Sequence, residues 1–333
     1  MARIAFLSTA HIHTKAFIEI LASTNDGREA AVIWDDVSER GQRYAEMAGC
    51  PFEPDMDKVL ADASIDGFII CCENTRHLPL LRSTLPVGKP VFCEKPLVTS
   101  TRELTDLREL VAAYPQTVLF GGYFQFYDAA LQSAKELILS GGLGKVTRAS
   151  YRNAHHAAYG RWFDSPDLAW FANPALAGGG GFFDMGTHAF HALRSIFGQA
   201  ESVWADIGNE SGEYPACDDY GVAHLKFGGG VKATVEAGWT FTGGRLGLEV
   251  IGSEKSLWHD GEKYVVAKAR EKPEPLELTM PARPFRVERM LAVIRGELSH
   301  DELYWDLEAS MDIVAWMEAA YTSAGSGRWE SIG

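Results

Sequence analysis

The sequence predicts an α/β protein in two parts, an N-terminal doubly wound parallel sheet followed by an α+β part with an open, mainly antiparallel sheet. Three observations carry this. The chain has 333 residues, 46% of them apolar, which is more than one hydrophobic core usually supports. Its first 120 or so residues alternate continuous apolar runs with helical patterns, as strands covered on both faces require. Beyond Phe120 the runs alternate apolar and polar residues instead, the mark of strands with one wet face. The boundary is placed between 122 and 123, giving parts 1–122 and 123–333.

In order, the buried strands of the first part are Ile4-Ala5-Phe6-Leu7, Ala30 to Trp34, Gly67 to Cys71, Pro90 to Cys93 and Thr117 to Phe120. The clearest helix between them is Thr101 to Ala113, with Ser100 or Thr101 as cap and Leu104, Leu107, Leu110 and Val111 at helical spacing. A helix from Ala129 to Ser140 ends at Gly141-Gly142. Val231 to Thr240 follows as a strand whose Val231, Ala233, Val235, Ala237 and Trp239 share one face, and it pairs with Tyr220 to Phe227 across Gly228-Gly229-Gly230. Leu246 to Ile251 and Ser256 to His259 extend this sheet. Leu307, Met311, Val314 and Tyr321 outline a last helix that can pack on either part.

A formal charge of -14 disfavours nucleic acid and anionic membrane surfaces as partners. The N-terminus runs straight into a strand, and no run approaches a membrane span, so the reading is cytoplasmic. Cys50, Cys71, Cys72, Cys93 and Cys217 lack metal-type spacing and read as reduced structural thiols.

The first strand ends in Ser8-Thr9-Ala10-His11-Ile12-His13, where a dinucleotide site would carry Gly-x-Gly-x-x-Gly. Small Ser8 and Ala10, the hydroxyls of Ser8 and Thr9, and the amides at the helix start still offer phosphate contacts. His11 and His13, two apart, would not share a helix face, so no metal site is expected. Asp35, at the end of the second strand, is placed to accept ribose hydroxyls, which favours NAD over NADP, whereas Arg40 can reach a 2′-phosphate or pair with a neighbouring acid.

Three residues carry the candidate chemistry. Cys93-Glu94-Lys95-Pro96 puts a lysine at the carboxyl edge of the sheet, where its ammonium can stabilise a developing alkoxide. Gly178-Gly179-Gly180-Gly181 leads into a helix on which Asp184 and His188 share a face at i and i+4. Histidine can exchange the hydroxyl proton, and the carboxylate can bind substrate or orient the imidazole.

Glu94-Lys95-Pro96, the glycine tract with Asp184 and His188, and Ala319-Ala320-Tyr321-Thr322-Ser323 with Gly327-Arg328 together resemble the Gfo/Idh/MocA oxidoreductases along essentially the whole chain. The resemblance extends to Cys72-Glu73-Asn74-Thr75-Arg76-His77 and Gly142-Leu143-Gly144-Lys145-Val146. It implies a Rossmann domain over 1–122 and a substrate-binding, oligomerising domain over 123–333. It implies bound NAD, with NADP second, held by Ser8, Thr9, Ala10, His11, Ile12, Asp35, Arg40, Cys72, Glu73, Asn74, His77, Glu94 and Lys95. Lys95, Asp184 and His188 match the catalytic positions, and a homodimer or homotetramer through the open sheet is implied. Three departures stand out: the missing glycines, Gln125-Phe126 where a basic residue usually precedes phenylalanine, and His191 in place of a second acid.

For substrate, Asn153 and His155 share a strand face, and Trp162 can stack on a sugar ring. With Tyr123, Gln125, Asp184, His188 and His191 they form the candidate substrate set. The expected activity is hydride transfer between nicotinamide and a secondary or anomeric alcohol of a sugar, glycoside or cyclitol. The alternative is a nicotinamide-sensing regulatory protein of the same fold.

Overall fold

The structure is a computed structural model that describes residues 2–23 and 27–332. Its first half builds β1 (Ala2–Leu7), α1 (Thr14–Ala22), β2 (Arg28–Trp34), α2 (Ser38–Ala48), α3 (Met56–Ala61), β3 (Gly67–Ile70), α4 (His77–Thr84), β4 (Val91–Cys93), α5 (Thr101–Ala113) and β5 (Leu119–Gly121). The five strands are parallel in the order β2-β1-β3-β4-β5. The winding reverses between β1 and β3, so the crevice for ligand opens at the carboxyl ends of these two strands. His11 N donates to Cys71 O across this crevice at 2.9 Å. All of β3 and β4 is buried, as the continuous apolar runs require. In β2 alternate residues are partly exposed, because it is the edge strand. Helix α5 has the bounds expected from sequence, and Ser100 is its cap, accepting from Glu103 N.

The second half contributes α6 (Ala129–Leu139), β6 (Val146–Ala154), α7 (Pro174–Ala177), α8 (Gly181–Phe197), β7 (Ala200–Gly208), β8 (Tyr220–Phe227), β9 (Lys232–Gly238), β10 (Gly247–Gly252), β11 (Ser256–His259), β12 (Tyr264–Ala267), β13 (Glu274–Pro275), α9 (Arg286–Ile294), α10 (His300–Ser326) and β14 (Glu330–Ser331). Its nine strands run β13-β12-β11-β10-β6-β9-β8-β7-β14, antiparallel throughout except where β6 lies parallel to β9. Ala233, Val235 and Ala237 of β9 point into a core with Phe182, Phe190 and Trp316, from α8 and α10. Arg148, Lys226, Lys232 and Glu249 are exposed on strands of the same sheet, whose second face is polar.

The last two helices join the halves. Val287 and Met290 of α9 pack with Ile4, Phe6 and Phe17 under the first sheet. Helix α10 sends Leu307, Met311 and Val314 to the first core and Ile313, Trp316 and Met317 to the second. It therefore packs on both parts, because apolar residues surround much of its 27-residue length. No helix among the described residues is long and apolar enough to cross a membrane.

The glycine tract before α8 serves the fold. A Cβ on Gly180 would stand 2.0 Å from Asp218 O, and one on Gly181 would stand 2.7 Å from Asp219 O. At Gly180 and Gly181 it is the protein's own backbone, and not a ligand, that comes this close. Asp218 then accepts from Gly180 N and Phe182 N, satisfying amides at the start of α8. Gly180→Ala should destabilise the chain by about 3 kcal/mol, because the obstacle is backbone and cannot rotate away. A urea midpoint equal to wild type would show this account wrong.

Candidate active site

Lys95 lies two residues past the end of β4, and Asp184 sits in the first turn of α8. The two meet between the sheets. Lys95 Nζ donates to Asp184 Oδ1 at 2.5 Å and to its backbone O at 3.0 Å. The second carboxylate oxygen accepts from Trp239 Nε1 at 2.9 Å, delivered from the end of β9. Burial opposes charge on Asp184, but the Lys95 ammonium, with His155 and the two hydrogen bonds, overrides it and holds the carboxyl well below its usual range. Asp184 is therefore a fixed anion.

His188 lies one helical turn on, buried, with Nδ1 lacking any partner. Burial and the neighbouring Lys95 hold its imidazole neutral, well below the ordinary histidine value. Tyr123 and Phe124 meet its ring edge-on at 5.8 and 5.2 Å. The proposed orientation of His188 by Asp184 is not what the structure shows, since Lys95 and Trp239 take both carboxylate oxygens. Two further assignments are corrected. His191 stacks on Tyr123 at 4.1 Å, and both are buried in the second core, where Tyr123 also bonds Thr187 at 2.8 Å. His191 also faces Phe126 and Tyr127, and both it and Tyr123 are about 1% exposed, so their rings are core packing.

Other candidates from the second part do converge. Gln125 donates to Asn153 Oδ1 at 2.8 Å, and Asn153 donates to Met185 O on α8. His155, just past the end of β6, stacks on Trp162 at 4.8 Å and is within electrostatic range of Asp184 and Lys95.

On the first part, the turn after β1 is built without glycine. Ser8 takes φ 66°, the left-handed conformation that glycine usually supplies. Asp35 is buried, accepting from Thr9 N (2.8 Å), Thr9 Oγ1 (2.6 Å), Val37 N (2.8 Å) and the Arg40 guanidinium (2.7 Å). Burial opposes its charge, and Arg40 and Thr9 override it, keeping the carboxyl low. In this structure Asp35 thus braces the turn, while Arg40 is paired with Asp35, Asp36 and Glu73. Cys72 points into the first core, so only its backbone is available, because adjacent residues past a strand end face opposite ways. His77 Nδ1 bonds Pro96 O at 2.7 Å and supports the Lys95-Pro96 segment from behind. Ile12 is exposed.

Trp170 and Phe171 cover the turn. Trp170 Nε1 donates to Ala10 O at 3.1 Å, both rings pack near His11, and Asn74 Nδ2 donates to Ala177 O at 2.8 Å. Asn74 Oδ1 remains buried without a partner. This orphan acceptor and the unpartnered His188 Nδ1 suit the hydroxyl and amide groups of a nicotinamide dinucleotide, whereas both oxygens of Asp35 are already taken by Thr9, Val37 and Arg40. These groups fit the cofactor, and the Trp170 and Asn74 contacts are the ones it would have to replace.

His11 and His13 correct another expectation. They precede α1, so helix spacing does not separate them, and their rings lie 4.5 Å apart beside Glu94. Trp239 and Arg286 were missed from sequence. Trp239 read as a core residue of its strand, which it also is, and Arg286, whose Nη2 lies 3.3 Å from both ring nitrogens of His13, carries no local signal. Trp239→Phe keeps the packing but removes the bond to Asp184. It should lower kcat about 10-fold with a stability loss near 1 kcal/mol, the ordinary worth of one hydrogen bond. Unaltered kcat would remove Trp239 from the site.

Comparison with known proteins agrees with this geometry. Residues 3–121 match the model described as "Oxidoreductase family, NAD-binding Rossmann fold", and residues 131–258 match the GFO/IDH/MocA C-terminal domain. A 1,5-anhydro-D-fructose reductase of Ensifer adhaerens is 27% identical over 236 residues, 69% of this chain and 68% of that one. An inositol dehydrogenase homologue from Azotobacter vinelandii, solved with NAD+, superposes with a TM-score of 0.83 at 19% identity, covering 99% of this chain and 97% of that one. A levoglucosan dehydrogenase solved with NADH and levoglucosan gives 0.81 at 18% identity, with 99% of each chain covered. At these identities the two structures show a shared fold. Together, the two family matches and the arrangement of sheets place this chain in the GFO/IDH/MocA oxidoreductase family, with its NAD-binding Rossmann fold.

Proposed function

We propose that the protein is an NAD-dependent dehydrogenase or reductase acting on a CH-OH group of a sugar, glycoside or cyclitol. The observation that carries this is the Lys95 ammonium fixed on Asp184 with a neutral His188 one turn away, at the carboxyl edge of the first sheet. The bound nicotinamide would supply the hydride acceptor or donor. Lys95 Nζ, a charged donor in a dry site, stabilises negative charge on the substrate oxygen. His188 is neutral and so can take the hydroxyl proton in oxidation and return it in reduction. Asp184 holds Lys95 in place. Gln125, Asn153, His155 and Trp162 supply the amides and ring faces that polyhydroxylated substrates use. Asn74 Oδ1, the turn from Ser8 to Ile12, in which the amides of Ser8, Thr9 and His11 already donate to Trp34, Asp35 and Cys71, and Glu73 are the nearest groups for the dinucleotide. The buried Asp35 carboxylate disfavours a 2′-phosphate and so favours NAD over NADP.

The names of the similar proteins, an anhydrofructose reductase, an inositol dehydrogenase homologue and a levoglucosan dehydrogenase, support this substrate class. We further propose that 1–122 and 123–333 act as cofactor and substrate units, that copies associate through the polar face of the nine-stranded sheet, and that the protein works in the cytoplasm. The deciding experiment follows nicotinamide absorbance with NAD and NADP over a panel of inositols, aldoses, anhydrosugars and glycosides. Turnover with NAD and at least one polyol is expected. Tight NAD binding with no turnover across the panel would instead favour a sensor.

A further inference from the structure

We propose that His11, His13 and Glu94 form a binding site for one divalent first-row transition-metal ion, set in the crevice where β1 and β3 diverge. The three residues come from two turns, the one after β1 and the one after β4, yet one ring nitrogen from each histidine and one carboxylate oxygen all lie within 4.8 Å of one another. His13 Nδ1 is 2.9 Å from Glu94 Oε1, and His11 Nδ1 is 3.8 Å from the same oxygen. An ion with bonds of about 2.0–2.2 Å keeps neighbouring ligands roughly 3–3.5 Å apart, so side-chain rotations of about an ångström close this set around it.

The chemistry of the set is specific. Two imidazoles and a carboxylate suit zinc, iron, cobalt and manganese and leave further coordination positions open. Glu94 is fully buried, a costly place for a carboxylate, and its Oε2 accepts Lys95 N at 3.1 Å, which leaves Oε1 toward the histidines. His11 is buried as well; its Nδ1 accepts from His13 N at 3.2 Å, a bond an ion at that nitrogen would replace, and its Nε2 has no partner. The sequence contributes a separate argument. In the Gly-x-Gly-x-x-Gly register that begins at Ser8, His13 stands where the third glycine would allow close helix-to-strand packing. A bulky imidazole there has a use if it is a ligand.

The nearby cations are Lys95 and Arg286. Lys95 is neutralised by Asp184. Arg286 Nη2 lies 3.3 Å from both His13 ring nitrogens, with the guanidinium 3.8 Å over Phe124. Its Nε is buried without a partner and its guanidinium also lies 5.4 Å over Phe17, so an ion at His13 would displace only the two contacts between Arg286 and His13 while both ring contacts stay.

The test uses the full chain after chelator dialysis, with neither nicotinamide nor sugar present. Co2+ is titrated while ligand-field bands are recorded, Zn2+ is added to displace it, Mn2+ uptake is measured separately, and bound metal is counted by mass spectrometry. Wild type should take up one equivalent. His13→Gln, His11→Asn and Glu94→Gln should each weaken uptake about 100-fold, the upper end of what even outer-shell losses cost, while His300→Gln, on the surface, leaves it unchanged. His13 is partly exposed, so its variant folds even if the buried ones do not, as circular dichroism would verify. Folded wild type that takes up far less than one equivalent of all three ions, or uptake that survives the His13 substitution, overturns the proposal. Because no nicotinamide or substrate enters the measurement, either result leaves the hydride-transfer reading untouched.

Discussion

Lys95→Met is expected to reduce turnover by about 10²–10³-fold, the usual worth of one preorganised donor on a developing oxyanion, with little change in NAD affinity. Lys95 is buried, so its loss also leaves Asp184 as an unpaired buried anion. Breaking such a pair from one side typically costs about 3–5 kcal/mol of stability. Lys95→Met combined with Asp184→Asn removes both charges and keeps an acceptor for the Trp239 indole. The double variant should therefore regain most of the stability lost by the single one, yet none of the turnover. Urea midpoints and kcat on the best substrate of the panel separate the two effects. If the double variant recovers turnover along with stability, Lys95 acts only as a structural partner of Asp184.

The parts of this site that were legible in the sequence are those fixed by local spacing. Lys95 is tied to a strand end, and Asp184 and His188 to one helix, so their neighbourhood follows once the parallel sheet is recognised. The sheet was legible for the same reason, since four of its strands are covered enough to read as unbroken apolar runs. What was not legible depends on contacts across long separations. Asp184 looked like the partner of His188 because i and i+4 are neighbours on a helix, but a lysine 89 positions away and a tryptophan 55 positions away claim its oxygens. The convergence of His11 and His13 was missed because it depends on the helix beginning at Thr14 and not earlier. The tract Gly178 to Gly181 looks the same in sequence whether ligand or protein backbone approaches it.

Acid should weaken the folded state between pH 6.5 and 5, and His191→Phe should remove part of that dependence. Burial first, and then the cationic Arg283, Arg194 and Arg289, push the His191 pKa down to about 3. His77 and His188 are also lowered, chiefly by burial. In the unfolded chain each titrates near 6.5, so as pH falls below that value the unfolded state gains protons that the folded state refuses. A histidine that stays neutral when folded therefore contributes stability above pH 6.5 and loses about 1.4 kcal/mol per pH unit below it. Asp35, Glu94 and Asp184, whose carboxyls are held low, add losses of the same sign only as pH falls through the carboxylate range. Asp218 and Asp306, raised by burial, act in the opposite direction and at the acid end. The window from 6.5 to 5 thus isolates the histidines. His191 packs flat on Tyr123 with Nε2 unpartnered, so a phenylalanine ring keeps the stack and removes an unsatisfied polar atom. Unfolding free energies from urea at pH 7.5, 6.0 and 5.0 should fall less steeply for the variant, by about one proton's worth of slope. Parallel curves for the two proteins would mean that His191 takes up its proton in the folded state, and that the Tyr123 stack is not the closed apolar site its burial indicates.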